Sequence, residues 1–455
     1  MALTKYQEGS LRELWTISMP LMLSSFSTMA MLFVDRLLLA HYSTDAHNAA
    51  VNATTMGWAI VYGWIVLANI AEVFVAQYNG ANLHKRIGEP VWQMIWLSLA
   101  SFLFFIPMGL WSGNYIYGES SQLEREYFQL MMFFGPCYPV YAALCGFFIG
   151  QGKTKLITWL AVFANFINAG LDWVLIFGIE GVIPSLGIKG AAIATSGCTI
   201  IEGLALSFIF LNKKNREQHG TSNWEFKPTI FKECMRVGFP GAIFVTVEVF
   251  GFAAFYAMMT NLGNHYITVV GICQSILILF YFFSEGVNKG ASTVTGNLIG
   301  AKKHWLVPNV ILAGLRLHLL LFLVMLACFM VGTDFVIGQF LPHASPEFVG
   351  EIYHSLVTCL VLIVVYMFFE GVRFLLAGVL TAAGDTMFLL VAGSLSVWVL
   401  MVLPIYVIVV RNKASVETAS AICVFYSVAA SLIYIWRFFT GSWKEITISK
   451  ELTFD

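Results

Sequence analysis

Charge is what this sequence has least of. Asp, Glu, Lys and Arg supply 11% of its 455 residues and nearly cancel, leaving a net charge of −1. A soluble chain carries roughly a quarter charged residues, so a water-facing globular fold is excluded. The near-neutral balance removes the electrostatic footing for nucleic acid or for any strongly charged partner. The eight cysteines, at 137, 145, 198, 234, 273, 328, 359 and 423, form no CxxC pair. Most fall in apolar stretches and read as small core residues rather than disulfides or metal ligands. The nine histidines show no HExxH spacing, and no GxxxxGK[ST] phosphate loop occurs, which argues against a self-contained ATP-driven pump. The first apolar segment is too long for a cleavable signal, lacks an A-x-A-like site and reads as a membrane span.

What the chain has in quantity is apolar surface: 58% hydrophobic residues and a mean hydropathy of +0.78. Long apolar stretches alternate with short polar clusters, many of them near the ~20 residues that cross ~30 Å of hydrocarbon. They predict an all-α polytopic membrane protein with transmembrane helices at about 12–41, 46–78, 91–115, 124–151, 156–178, 188–212, 230–262, 265–300, 306–336, 348–383, 386–411 and 414–440. The longer spans call for tilt or extension beyond the bilayer. With the N-terminus inside, Lys85, Arg86, Lys153, Lys155, Lys213, Lys214, Lys302 and Lys303 all face the cytoplasm, and the opposite side has only Arg125, Lys189, Arg411 and Lys413. The positive-inside rule then places both termini in the cytoplasm of a cell (inner) membrane. The longest polar stretch, "NKKNREQHGTSNWEFKPTIFKE", predicts a boundary: an N-terminal six-helix lobe at 1–212, a cytoplasmic linker at 213–229 and a C-terminal six-helix lobe at 230–455.

The two halves resemble each other. At a spacing of 220 residues Pro20 matches Pro240, Ala71 matches Ala291, Gly80-Ala81 matches Gly300-Ala301 and His84 matches His304, while Gln77 and Asn297 align as amides. At a spacing of 232, Leu144, Gly146, Gly152 and Thr154 match Leu376, Gly378, Gly384 and Thr386. An internal duplication of six spans keeps both copies in one orientation, a pseudo-two-fold parallel repeat of the kind that lines a central cavity in alternating-access transporters.

The stretches "VAQYNGANLHK" (75–85), "GQGKTK" (150–155), "NAGLDWVLIFG" (168–178), "GIKGAAIAT" (187–195), "GNLIGAKK" (296–303) and "AAGDT" (382–386) cover most of the chain in order. Together they resemble the multidrug and toxic compound extrusion (MATE) transporters, in particular the NorM-like branch. The resemblance implies two six-helix lobes forming a V, and export of organic compounds driven by inward Na⁺ or H⁺. Read on their own, the glycines of these motifs suit close helix approach and helix termination.

Ionisable residues inside membrane spans are functional candidates by default. The acids are Asp35, Glu72, Asp172, Glu202, Glu248, Glu285 and Glu370, and the bases are Arg36, Lys289, Arg316 and Arg373. At 1.5 Å per residue, Asp35 lies roughly 9 Å from the outer end of its span and Asp172 roughly 24 Å above the inner end of its own. Glu248 and Glu370 each lie roughly 18 Å from the inner surface. That predicts two acidic sites at different depths, one per lobe. The resemblance implies cation coupling at Asp35, Asn168 and Asp172 in the N-terminal lobe, and coupling or substrate binding at Glu248 and Glu370 in the C-terminal lobe. Na⁺ would sit at either pair. Glu370 stands where the family carries Asp, and Arg373 lies on the same face at i+3, so an ion pair there is the alternative to an ion site. Glu285 and Lys289, at i,i+4, suit an internal ion pair. Glu72 and Glu202 lack motif support. Arg36, about 100° round the helix from Asp35, is free to snorkel outward.

The sequence therefore predicts a secondary active antiporter, not an enzyme, for small organic cationic or amphipathic compounds. It works as a monomer in the lipid bilayer, without a cofactor beyond the transported H⁺ or Na⁺. The competing reading is a flippase for a lipid-linked saccharide of the same superfamily, with Lys289, Arg316 and Arg373 as its candidate pyrophosphate ligands. A membrane transferase is disfavoured, because His318 alone lies deep in a span.

Overall fold

The computed structural model describes residues 3–118, 121–340 and 346–452. Part of the expected loop between the ninth and tenth spans (341–345) and the last three residues of the expected C-terminal lobe lie outside them. Nearly all of the rest is helix, as hydrocarbon demands: a backbone polar group with no water to bond must be satisfied within its own segment. The spans are α1 (Leu11–Tyr42), α2 (Thr44–Gly80), α3 (His84–Tyr117), α4 (Gln122–Phe133 and Cys137–Ile149), α5 (Thr154–Phe177) and α6 (Ile188–Phe210). After a short helix at Lys213–His219 come α7 (Pro228–Leu262), α8 (Asn264–Gly300), α9 (Val307–Phe340), α10 (Pro346–Ala383), α11 (Thr386–Arg411) and α12 (Val416–Thr440). Among the described residues ten helices are long and apolar enough to cross a membrane, and the bent α4 and α8 bring the number to twelve.

The departures from the expected spans are local. The fourth span breaks by 43° at Phe134-Gly135-Pro136, where Pro cannot continue the hydrogen-bond ladder. The eighth bends by 44° between Ile278 and Phe280. The eleventh winds largely as π-helix, over Leu389–Gly393, Ser396–Val402 and Ile405–Arg411.

The duplication seen in the sequence returns as matched turns. After α2 and after α8 the chain passes through Asn82 (φ 62°) and Lys302 (φ 59°), both left-handed. The two turns close through the same bonds, Leu83 N–H to Tyr78 C=O at 2.9 Å and Lys303 N–H to Leu298 C=O at 2.8 Å. The turns after α4 and α10 use Gly152 (φ 73°) and Gly384 (φ 84°), which only glycine adopts at little cost.

These turns all lie on the side that carries both termini, and there the two halves meet. A Cβ on Gly80 would overlap the backbone of Asn297, and one on Gly300 would overlap the backbone of Gln77, so α2 and α8 cross in van der Waals contact. Gln77 donates to the Ala382 carbonyl at 2.7 Å, Asn79 to Asn297 Oδ1 at 2.6 Å, and Asn297 to the Gly150 carbonyl at 2.9 Å. One apolar core spans both halves here, from Leu14 and Phe74 to Val294, Leu380 and Trp443. Toward the opposite side the core splits. One branch holds only α7–α12 residues, among them Phe255, Ile352 and Met401. The others hold only α1–α6 residues, such as Leu39, Ala49 and Phe128. The molecule is a V, closed on the terminal side and parted on the far side.

Candidate functional site

In the N-terminal half, α1 brings Asp35 against Asn168 and Asp172 of α5, which the i,i+4 spacing places on one face. The three residues are 6%, 0% and 0% exposed. Thr195 of α6 donates its hydroxyl to Asp35 Oδ2 at 3.0 Å. Asp35 Oδ1, both polar atoms of Asn168 and both oxygens of Asp172 have no hydrogen-bond partner among the described residues. Arg36 is exposed and turned outward, as its helical position requires. Burying two carboxylates with the Thr195 hydroxyl as their one donor among the described residues is costly unless something positive joins them. Two carboxylates, an amide oxygen and a hydroxyl form an oxygen-rich donor set suited to a hard monovalent cation, or to one proton shared between the acids.

The C-terminal half is built differently. Arg373, 1% exposed, donates Nη2 to Glu248 Oε1 at 2.6 Å across helices, and Nε to Glu370 Oε2 at 3.0 Å within its own. A second bond joins Arg373 and Glu370. The guanidinium also faces the rings of Phe374 and Tyr434, at 4.9 and 6.0 Å from their centroids. Glu248 and Glu370 are therefore brought together as the sequence suggests, but around an internal cation. The i+3 relation of Glu370 and Arg373 is legible in the sequence; the reach to Glu248 is not.

Between the halves lies a cavity of about 640 Å³ with Glu72, Glu248, Glu285, Lys289, Glu370 and Arg373 in its wall. Four carboxylates face two cations, so the cavity carries excess negative charge when all are ionised. Tyr62, Phe252, Tyr256, Tyr281, Tyr366 and Phe374 line it as well, offering ring faces to a lipophilic cation. Lys289 pairs with Glu285 at 3.0 Å, as its i,i+4 spacing predicts. Glu72 had no signal in the sequence beyond its depth. It is 7% exposed on α2 and accepts a bond from Thr293 of α8 at 2.9 Å, while α4 lays Gly146 and Gly150 against its backbone. Glu202 lies apart, accepting from Tyr141 at 3.2 Å. His318 is buried with Nδ1 3.0 Å from the Gly314 carbonyl, outside the cavity wall. Among the described residues no cluster of three or more His, Cys, Asp or Glu is arranged to hold a metal.

The comparisons with known proteins agree with this architecture. The MatE family profile matches residues 20–174 and 240–407, more than half of the chain. A Thermotoga maritima protein named "probable multidrug resistance protein NorM" is 23% identical, over 95% of this chain and 93% of its own length. A Synechocystis protein of the same name is 23% identical over 95% of each. Among solved structures, an outward-facing multidrug resistance MATE family transporter of the MOP superfamily superposes with a TM-score of 0.85 at 17% identity, over 97% of this chain and 98% of that one. A MOP superfamily transporter from Pyrococcus furiosus gives 0.84 at 16% over the same shares. Buried acids within the spans, a cavity between two six-helix halves and a family profile reaching across both lead to one assignment: the chain belongs to the MATE family, and it is a multi-pass membrane transporter, not an enzyme.

Proposed function

We propose that this protein is a secondary antiporter that exports small organic cationic or amphipathic compounds in exchange for H⁺ or Na⁺. The observation that carries the reading is the buried, donor-poor cluster of Asp35, Asn168 and Asp172, set apart from a cavity with excess negative charge. An ion or proton neutralises the first, an organic cation neutralises the second, and alternating occupancy of the two gives exchange. Glu248 and Glu370, bound to Arg373, act on substrate through the net charge of the triad rather than as a second ion site. The Lys and Arg distribution supports cytoplasmic termini in the cell membrane. The closed terminal side is then the cytoplasmic gate, and residues 1–212 and 230–455 are the halves that rock about the linker at 213–229. Nothing in this scheme needs a second subunit or a cofactor. The flippase reading loses support from the cavity, where Lys289 and Arg373 are engaged by carboxylates and Arg316 is exposed outside the wall.

Everted membrane vesicles, whose cytoplasmic face points outward, test the proposal by uptake of a fluorescent organic cation from the bath, with a lumen-high Na⁺ gradient or a lumen-acid pH gradient imposed alone. One of the two should drive transport. Transport under neither gradient overturns antiport.

A further inference from the structure

Lys289 of α8 has Glu285 on its own helix to one side and, beyond Thr293, Glu72 of α2 to the other. Glu285 lies one turn toward the far side and holds the ammonium at 3.0 Å. Thr293 lies one turn toward the terminal side, with its hydroxyl 3.0 Å from the Lys289 carbonyl and 2.9 Å from Glu72 of α2. Glu72 and Lys289 both line the cavity. A lysine side chain has the length and freedom to turn from one carboxylate to the other. The two acids belong to opposite halves of the molecule, so their separation changes whenever the halves move.

The duplication does not explain these charges. At the 220-residue spacing the counterparts of Glu285, Lys289 and Glu72 are Ile65, Asn69 and Ser292, all uncharged. A charged triplet in one arrangement only, in the wall of the substrate cavity, has a role there.

We propose that Lys289 is a tethered competitor for the organic cation at Glu285, with Glu72 as its alternative partner. In the state described here, open to the far side, the ammonium occupies Glu285 and leaves no carboxylate there for a cationic cargo. When the halves move, Lys289 turns to Glu72 and Glu285 is freed to bind cargo. Its return expels the cargo. The proposal deepens the antiport reading and rests on it.

Binding of tetraphenylphosphonium, a lipophilic monovalent cation, to the purified full-length protein in nanodiscs tests it. Gradient-driven efflux of the same probe is measured in parallel. Removing the competitor in Lys289→Gln should tighten binding by about tenfold while slowing efflux, and Lys289→Arg should restore wild-type behaviour. Glu72→Gln should weaken binding by about tenfold, because Lys289 then stays on Glu285. In the Lys289→Gln background the same change should have almost no effect, the non-additivity expected of residues that act through one another. Binding to Lys289→Gln that is no tighter than to wild type overturns the proposal. So does a Glu72→Gln effect of equal size in both backgrounds, which would make Glu72 a direct partner of the cargo. Wild-type protein that moves the probe under neither gradient brings down the antiport reading itself, and this inference with it.

Discussion

Arg373 gives the sharpest energetic prediction. It is 1% exposed and holds two carboxylates, Glu248 at 2.6 Å and Glu370 at 3.0 Å. Arg373→Met keeps most of the side-chain volume but leaves both carboxylates buried beside each other with no cation. Breaking a buried pair from one side typically costs about 3–5 kcal/mol, whereas replacing the whole group with neutral residues is often without cost. The unfolding entropy of about 2.1 cal/mol/K per residue, taken over 455 residues, gives roughly 1 kcal/mol per degree. The melting temperature of detergent-solubilised Arg373→Met should therefore fall by about 3–5 °C. Adding Glu248→Gln and Glu370→Gln to the same chain should recover most of that loss. A thermal-unfolding series read by intrinsic fluorescence decides the matter. An Arg373→Met melting point within about a degree of wild type, or a triple variant no more stable than the single one, refutes the electrostatic argument.

Asp35→Asn keeps the side-chain shape and an oxygen for Thr195, and should abolish gradient-coupled efflux while the protein still inserts and melts normally; retained coupling would remove Asp35 from the proposed ion site. Gly80→Val forces α2 away from the Asn297 backbone and should part the terminal side, so maleimide labelling of an added Asn79→Cys should rise. Unchanged labelling would show that the crossing is not what holds that side shut. Outside the membrane, burial, reinforced by Lys153 and His84, pushes the His219 imidazole down to about 4. Its neutral form favours the docked linker, so docking is fully stable above the free imidazole value near 6.5 and weakens as pH falls from there toward about 4. Hydrogen exchange over 213–227, corrected for intrinsic rate, should rise across that window and flatten in His219→Gln. A flat profile in the native protein counts against the coupling.

What the sequence made legible was whatever is local along a helix or repeated along the chain. Apolar run lengths place the spans to within a few residues, because a bilayer imposes a minimum length on each. Spacings of three and four residues predict Glu370 beside Arg373, Glu285 beside Lys289 and Asn168 beside Asp172. Contacts between helices distant in sequence leave no such trace. Thr195 meeting Asp35, Arg373 reaching Glu248 and Thr293 meeting Glu72 depend on which faces pack together, and periodicity in a chain apolar on every side does not say which. The bends in α4 and α8 escaped for a related reason: hydropathy reports continuity of apolar character, not of direction. Gly135-Pro136 marked the first bend in plain view, yet proline is tolerated in membrane helices often enough to carry little weight alone.

The reciprocal crossing of α2 and α8 also bears on how the two copies of this chain have aged. Gly80 rests on Asn297 while Gly300 rests on Gln77, so each copy is the other's mould at that spot. A side chain gained by either glycine would have to be answered in the opposite copy, at a position that is itself half of a matched pair. Elsewhere each half was free to diverge, as the uncharged counterparts of Glu285 and Lys289 illustrate. At the crossing neither copy can change its glycine alone, so the repeat is locked there by its own contact.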